Sequence, residues 1–189
     1  MRLKITRKTE QQVNKWSGGN TTELFIFPLS AEYQKRDFLF RISTATVEVE
    51  RSDFTSLPGF KRKLMVLDGE LMIEHKDHYS KRLKKFEQDE FDGGWTTSAG
   101  GKVTDFNLMM AAGAHGSLEH MHGAIGQELY LDLSKGGYTG IYLVSGNAEI
   151  LDENKTVSAS DYISIEEPGF VRLKMIEACD LIVASVMLT

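Results

Sequence analysis

The chain has 189 residues, of which 41% are hydrophobic and 26% are charged; this suffices for one compact domain or two fused half-domains and excludes a disordered protein. Its net charge of −5 at pH 7 leaves no basic excess, so we expect no nucleic-acid partner. The single cysteine, Cys179, excludes an internal disulfide framework, and we expect it to be a small core residue.

No membrane segment is indicated by the sequence. The chain starts without a charged and then apolar leader, and it contains no apolar run near 18 residues. A transmembrane helix requires a run of about that length. We therefore expect a cytoplasmic protein without a membrane partner.

Strand patterns dominate the chain, and only residues 9–14 suggest a short helix, with Thr9 as its N-cap. The clearest strand runs from Phe38 to Val49, where a large apolar set alternates with a smaller set that carries Arg41 and Ser43. The sequence leaves open which set faces the interior, because a shift of one residue exchanges the faces. Further strands are predicted at residues 23–27, 63–67, 70–75, 105–110, 128–133, 140–144, 148–151, 161–165, 170–176 and 180–187.

Two segments of the chain repeat one pattern. Residues 67–73 and 144–150 each read as a strand, a tight glycine turn and a second strand, and Gly69 and Gly146 are 77 positions apart. The repeat predicts two small β-barrels in one chain, packed tightly as one unit, with residues 1–102 in the first and 103–189 in the second. The mouth of such a barrel can hold one compact ligand.

Three stretches of the chain contain residues suited to a ligand site. Trp16 precedes a Gly18-Gly19 pair and would either plug a barrel end or contact a ligand. Arg62 follows a Pro58-Gly59 turn and would lie near the barrel mouth, where its planar guanidinium could pair with a carboxylate.

The stretch from Asp105 to Met109 is the most informative of the three. In a strand, Asp105, Asn107 and Met109 share one face, while phenylalanine and leucine take the other. An acid beside a thioether suits neither solvent nor a sealed core, so we interpret this face as a mixed cavity wall. Arg41 and Arg62 are both candidates for the partner of Asp105.

Taken in order, these motifs resemble the HutD/Ves family over about residues 1–113. The motifs are Trp16 with Gly18-Gly19 and Thr21-Thr22-Glu23; Phe40-Arg41-Ile42-Ser43-x-Ala45; Phe54-x-Ser56-x-Pro58-Gly59-x-x-Arg62; Leu67-x-Gly69-Glu70; and Asp105 to Met109. The resemblance implies an all-β bicupin, two jelly-roll-like antiparallel barrels. It also implies a role in bacterial histidine utilisation, in which a small anionic metabolite such as a formylated glutamate is bound and histidine catabolism is modulated.

Carried over residue by residue, the family's site falls on Trp16, Arg41, Ser43, Arg62, Asp105, Asn107 and Met109. The chain departs from the commoner family pattern in two places. Its Trp-Gly-Gly motif is shorter. Lys61 also occupies the position before Arg62 at which the family often has an acid. The resemblance implies no firmly assigned enzymatic activity.

The histidines raise the question of a metal. His120 and His122, with Glu128 downstream, resemble the ligand pattern of many cupins. Glycines flank the histidine pair and predict a loop. The second cupin motif, in which a histidine follows a Pro-x-Gly sequence, also lacks its histidine. We therefore predict no metal and keep His120, His122 and Glu128 as an alternative metal site. His75 and His78 bracket a turn and are expected to be solvated.

The sequence therefore favours a binding protein without a cofactor. In this interpretation Arg41 and Arg62 pair with carboxylates, and Asp105 orients an arginine. Ser43 and Asn107 add neutral hydrogen bonds, while Trp16 and Met109 form apolar walls. One alternative is a cupin enzyme, either metal-dependent or with Asp105 as general base. Another is a partner-binding module whose exposed sheet edge pairs with a second copy to form a homodimer.

Overall fold

The computed structural model describes residues 3–189, and strands form almost all of its regular structure. The strands are β1 (Leu3–Thr6), β2 (Gln12–Trp16), β3 (Gly19–Phe27), β4 (Phe40–Val47), β5 (Arg51–Asp53), β6 (Phe60–Gly69), β7 (Leu71–His75), β8 (Tyr79–Leu83), β9 (Gln88–Asp92), β10 (Thr97–Gly100), β11 (Val103–Ala111), β12 (Ala114–Gly123), β13 (Glu128–Asp132), β14 (Tyr138–Ser145), β15 (Asn147–Ile150), β16 (Lys155–Ser158), β17 (Tyr162–Ile165), β18 (Phe170–Met175) and β19 (Cys179–Leu188). Short 3-10 turns occupy Lys8–Glu10 and Tyr33–Lys35. Within this part of the chain, no helix is both long and apolar enough to cross a membrane.

The first compact unit spans Gln12–Ala114. It contains a six-stranded antiparallel sheet in the order β2-β3-β4-β11-β6-β9 and a four-stranded sheet in the order β5-β10-β7-β8. Alternation along the strands directs apolar side chains of both sheets into one cluster. Its buried members are Val47, Leu64, Val66, Leu71, Ile73, Leu83, Phe91, Ala99 and Val103. Because both sheets contribute to this cluster, they pack face to face.

The second unit combines the segment that ends at Gln11 with His115–Thr189. It too has two sheets, in the orders β1-β17-β14-β19-β12 and β13-β18-β15-β16. Fourteen buried apolar residues from both sheets fill the space between them, and the fully buried Cys179 is one of them, as the sequence predicts. Full burial of each large apolar side chain contributes roughly 1.5–3 kcal/mol, so this interior is a continuous source of stability.

The all-β prediction is confirmed, but the prediction of closed barrels is wrong. Each sheet ends in strands that pair on one side only, so each unit is a pair of open sheets. The units also differ from the predicted ranges 1–102 and 103–189. Strand β11 lies in the middle of the first unit's large sheet, between β4 and β6, and the division falls after Ala114.

All eleven segments predicted as strands coincide with strands, although several boundaries shift. The predicted helix at residues 9–14 is wrong, because Lys8–Glu10 forms a single 3-10 turn and Gln12 already begins β2. The strand containing Arg62 begins earlier than predicted, at Phe60, which places Arg62 inside it.

The prediction that His75 is solvated is wrong, because the residue is buried and only 1% exposed. Its Nε2 lies 3.0 Å from Oδ2 of Asp89, and its Nδ1 lies 2.8 Å from the hydroxyl of Thr97. Because the carboxylate only accepts, Nε2 must donate, and Nδ1 of a neutral ring accepts from Thr97. Burial by itself raises the pKa of Asp89, but hydrogen bonds from His75, Lys81 and Tyr79 lower it below its usual value.

The two glycine turns detected in the sequence are true left-handed turns. The φ angle is +83° at Gly69 and +80° at Gly146, a region that side-chain-bearing residues rarely enter. A Cβ at Gly69 would lie 2.6 Å from the carbonyl oxygen of Lys102, and one at Gly146 would lie 2.3 Å from that of Ala178. Both turns therefore require glycine for conformation and for space.

Replacing Gly69 by alanine should destabilise the protein by about 3 kcal/mol, because backbone strain and a backbone clash add together. Gly59 is the matched control, since its φ is +86° but no atom lies within 4 Å of its Cβ position. The Gly59→Ala variant should lose only about 1 kcal/mol, from conformation alone. Denaturant unfolding measures both, and equal losses would contradict the role assigned to the clash.

Candidate functional site

The first unit contains a cavity of about 790 Å³, and all seven residues that the sequence analysis selects line it. These residues are Trp16, Arg41, Ser43, Arg62, Asp105, Asn107 and Met109. The cavity is mixed in character: buried charged groups lie beside aromatic and aliphatic side chains. Such a concave pocket with a few convergent polar groups is typical of a small-molecule site.

Strand pairing explains how distant residues reach one cavity. In the six-stranded sheet, β4, β11 and β6 are neighbours, and Met109 lies opposite both Arg41 and Arg62. One pleat further along β11, Asn107 lies opposite Ser43. Because residues two apart on a strand share a face, these side chains and that of Asp105 point to the same side of the sheet. The smaller set of the alternating strand is therefore the one that faces the cavity.

Arg41 is held in place by two polar partners and one ring. Its Nε donates to Oε2 of Glu23 at 2.7 Å, and its Nη1 donates to Oγ of Ser43 at 3.2 Å. Its guanidinium lies 4.4 Å from the centre of the Tyr33 ring, a favourable cation–π arrangement. The charge of Arg41 is thus already balanced by a neighbouring carboxylate.

Arg62 is less completely paired. Its Nη2 donates to Oδ1 of Asn107 at 3.0 Å, whereas its buried Nε has no hydrogen-bond partner within residues 3–189. The guanidinium lies 4.8 Å from the ring centre of Phe54 and 5.3 Å from that of Phe91. Burial lowers the pKa of Arg62 to about 10, so the group is still charged at neutral pH. A buried donor without an acceptor is costly, and a ligand oxygen would relieve that cost.

Asp105 completes a chain of polar contacts that begins at Arg62. Its Oδ1 accepts a hydrogen bond of 3.0 Å from Nδ2 of Asn107, while no described residue hydrogen bonds to Oδ2. Burial raises the pKa of Asp105 to about 6, although the Asn107 hydrogen bond and the charge of Arg62 oppose the rise. Of the two candidate partners for this acid, the structure therefore selects Arg62, through Asn107.

Trp16 forms part of the cavity rim rather than a plug. Its side chain is 41% exposed, and every residue of β2 is exposed. A Cβ at Gly18 would lie 2.1 Å from the indole ring, so glycine allows the ring to lie against the backbone. The indole is thus fixed at the entrance, with one part open to solvent.

Glu23, Tyr33 and Phe54 also line the cavity and contact its arginines, although they are not among the seven residues predicted from the sequence. A β-bulge between Glu23 and Phe25 shifts the pairing of β3 with β4, so simple alternation does not assign the face of Glu23. Tyr33 lies in a 3-10 turn outside any strand. For Glu23, the available sequence signal was that an acid stands in the motif that runs from Trp16 to Glu23.

The alternative metal site is not assembled. His120 and His122 lie in strand β12, so the predicted loop is wrong. Both side chains hydrogen bond to Oδ1 of Asp180, at 2.9 and 3.0 Å, and Glu128 instead pairs across strands with Lys174. Within residues 3–189, no three histidine, cysteine, aspartate or glutamate side chains are placed to hold a metal ion.

The second unit repeats the strand pairing of the site without its charges. In the first unit Met109 pairs with Arg62, Asn107 with Leu64, and Asp105 with Val66. When the two turn glycines are aligned, the corresponding pairs are Ser185 with Thr139, Val183 with Ile141, and Leu181 with Leu143. The positions of Asn107 and Asp105 are thus taken by core residues.

These sheets and this cavity define an all-β, cupin-like protein, and solved structures agree. A conserved protein of unknown function from Pseudomonas aeruginosa PAO1 superimposes with a TM-score of 0.81 at 20% identity, over 98% of this chain and 99% of the other. HutD from Pseudomonas fluorescens SBW25 gives a TM-score of 0.74 at 19% identity, over 98% and 100%. The bacterial pirin YhhW from Escherichia coli, solved with nickel(II), gives 0.76 at 10% identity, over 97% and 98%. At these identities the likeness concerns the fold alone.

The chain belongs to the HutD family, whose sequence profile matches residues 8–183. Protein Ves of Escherichia fergusonii is 33% identical over 104 residues, which are 51% of this chain and 52% of Ves. The chain therefore aligns with about half the length of this curated relative.

Proposed function

We propose that the protein binds a small carboxylic acid in the cavity of its first unit and acts as a binding protein in histidine catabolism. Arg62 receives a carboxylate of the ligand, and Arg41 supplies its remaining donors to a second acidic group. Ser43 and Asn107 add hydrogen bonds, while Trp16 and Met109 provide apolar walls. The ligand class that fits is a formylated glutamate or a related acid.

The unpartnered Nε of the buried Arg62 is the observation that carries this proposal. A guanidinium is kept charged in a largely desolvated position and is oriented by Asn107, yet its hydrogen-bonding capacity is unfilled. Guanidinium groups recognise carboxylates through paired N–H donors.

An enzymatic role is the second candidate, and Asp105 is the residue that favours it. A carboxyl group with a pKa of about 6 in a cavity has the properties of a general base. The nearby hydroxyl of Ser43 accepts a hydrogen bond from Arg41, and the hydrogen bonds of Asp105 and Arg62 suit ligand retention. We therefore place binding before catalysis.

A thermal-shift screen against urocanate, glutamate, N-formylglutamate and related acids tests the proposal. One acid should raise the unfolding midpoint by several degrees, because a ligand present at 100 times its Kd adds about 2.7 kcal/mol of stability. Matched amides that lack the carboxylates are the control and should give no shift. If no acid shifts the midpoint at millimolar concentration, the proposed function is wrong.

Four further expectations accompany this proposal. The two units are interpreted as diverged cupin copies, a bicupin, on the basis of the repeated glycine turns. A cytoplasmic location and the lack of a nucleic-acid partner are expected from composition. The exposed edge strand β2 is the segment that we would test first for homodimer formation.

A further inference from the structure

We propose that anion binding in this cavity is coupled to uptake of one proton by Asp105, which then donates a hydrogen bond from Oδ2 to the bound carboxylate. This inference rests on the proposed function, since it concerns the same site. It adds a regulatory property: the affinity of the site is set by pH within the physiological range.

The balance of buried charge is the first argument. The inner cavity holds two guanidinium groups, Arg41 and Arg62, and two carboxylates, Glu23 and Asp105. When all four are ionised the charges cancel, and this neutral set of three buried groups and the half-buried Glu23 offers no net attraction to an anion. When Asp105 is protonated, one positive charge is unbalanced, and an anionic ligand neutralises it.

The geometry of the site identifies Asp105 rather than Glu23 as the group that takes up the proton. Glu23 is already engaged in a direct 2.7 Å ion pair with Arg41. Asp105 contacts Arg62 only through Asn107, and its Oδ2 lacks a hydrogen-bond partner among the described residues. A ligand oxygen on Arg62 would lie one side chain away from this unpartnered oxygen. A carboxylate bound by Arg62 would bring a second negative charge near Asp105, and a nearby like charge favours the protonated form of an acid.

The surroundings of Asp105 contain few other titratable groups. Those lining the same cavity are Lys15 on β2, Glu23 on β3, Glu32 and Tyr33 at the 3-10 turn, Arg41 on β4, Asp53 on β5 and Arg62 on β6. Lys15, Glu32 and Asp53 are exposed at the rim, where solvent screens their charges. Tyr33 lies against Arg41. Asp105 is thus the buried acid that can respond to a ligand on Arg62.

The direction of the pH effect follows from linkage. Burial gives Asp105 a pKa of about 6 before binding, and the nearby ligand charge raises it further in the complex. The bound state therefore holds more protons, and affinity falls as the pH rises above the free value. Between pH 6.5 and 7.5 the Kd should increase about eightfold, with close to one proton taken up per ligand.

Calorimetry in buffers of different ionisation enthalpy tests this coupling. The probe is N-formylglutamate, or whichever acid of the screen gives the largest thermal shift, and both carboxyls of N-formylglutamate are ionised above about pH 6. The wild-type protein should take up nearly one proton at pH 7. The D105N variant should take up none, and its Kd should be nearly constant from pH 6 to 8. The D68N variant removes an exposed acid at the end of β6 and should keep the wild-type pH dependence.

Each outcome is decisive. Proton uptake that disappears only in D105N supports the inference. Binding of the probe without proton uptake by the wild-type protein overturns it while the proposed function stands, and this measurement needs no variant. Absence of binding by every acid of the screen overturns the proposed function and the inference with it. Uptake that persists in D105N assigns the proton to another group and also overturns the inference.

Discussion

Replacing Arg62 by methionine should weaken binding of the anionic ligand by at least about 30-fold, since loss of one partner of a buried charge pair costs about 2–5 kcal/mol. The reason is that Arg62 is the buried cation whose Nε still lacks an acceptor. Methionine keeps a long apolar side chain between Phe54 and Phe91 but supplies neither charge nor donors. Isothermal titration with the acid identified in the screen measures the loss.

The fold should survive this change at reduced stability. Removal of one partner of a buried charge pair costs about 3–5 kcal/mol, because Asp105 and Oδ1 of Asn107 lose the Arg62 cation, so the unfolding midpoint should fall by several degrees. Arg51 provides the control, because it is an exposed arginine of the same unit that hydrogen bonds to Ser98. Arg51→Met should leave affinity unchanged. An Arg62→Met protein that is folded and binds as tightly as the wild type would remove Arg62 from the site.

Replacing His75 by alanine should lower the free energy of unfolding by about 3 kcal/mol or more, because it leaves the buried acceptor of Asp89 short of a donor and opens a void. The imidazole also packs against rings, with centroids 4.4 Å from Phe91 and 4.7 Å from Tyr79. Denaturant titration followed by tryptophan fluorescence measures the change. His78→Ala is the control: that ring is exposed and stacks on Trp95, and its loss should cost less than about 1 kcal/mol.

The pH dependence of this loss has a definite sign. Hydrogen bonds lower the pKa of Asp89 in the folded protein, so its stabilising effect is complete above the ordinary carboxyl pKa. The effect disappears as the pH falls through the lowered value. The difference between wild type and His75→Ala should therefore be largest near neutral pH and shrink in acid. A difference that stays constant down to pH 2 would show that packing alone accounts for it.

The strands that the sequence predicted are mainly the buried ones, for a physical reason. Strands such as β4 and β11 lie between two neighbours and need one apolar face, which produces a clear alternation. Most of the strands that were missed, including β2, β8 and β12, lie at sheet edges. An edge strand buries less apolar surface, so its sequence need not alternate, and in β2 every residue is exposed.

The site was predictable where alternation and family motifs agreed. Alternation along β4 assigns a face to Arg41, and alternation along β11 puts Asp105 and Asn107 on one face. Once the interior side of the sheet is known, these faces line the cavity. His75 was mistaken because a polar residue beside a turn usually faces solvent, whereas this one finds partners in Asp89 and Thr97 on other strands. Contacts between strands distant in sequence leave no local signal, and the same is true of the bulge that orients Glu23.

The matched strand pairs of the two units have an evolutionary consequence. Duplication of an ancestral half would yield two interiors under separate selection, and here one retains Leu181 and Val183 where the other has Asp105 and Asn107. On that duplication hypothesis, the first unit has acquired polar and charged groups at positions that are apolar core in the second. Exchange of these residues between the halves would ask whether recognition is portable within a single polypeptide.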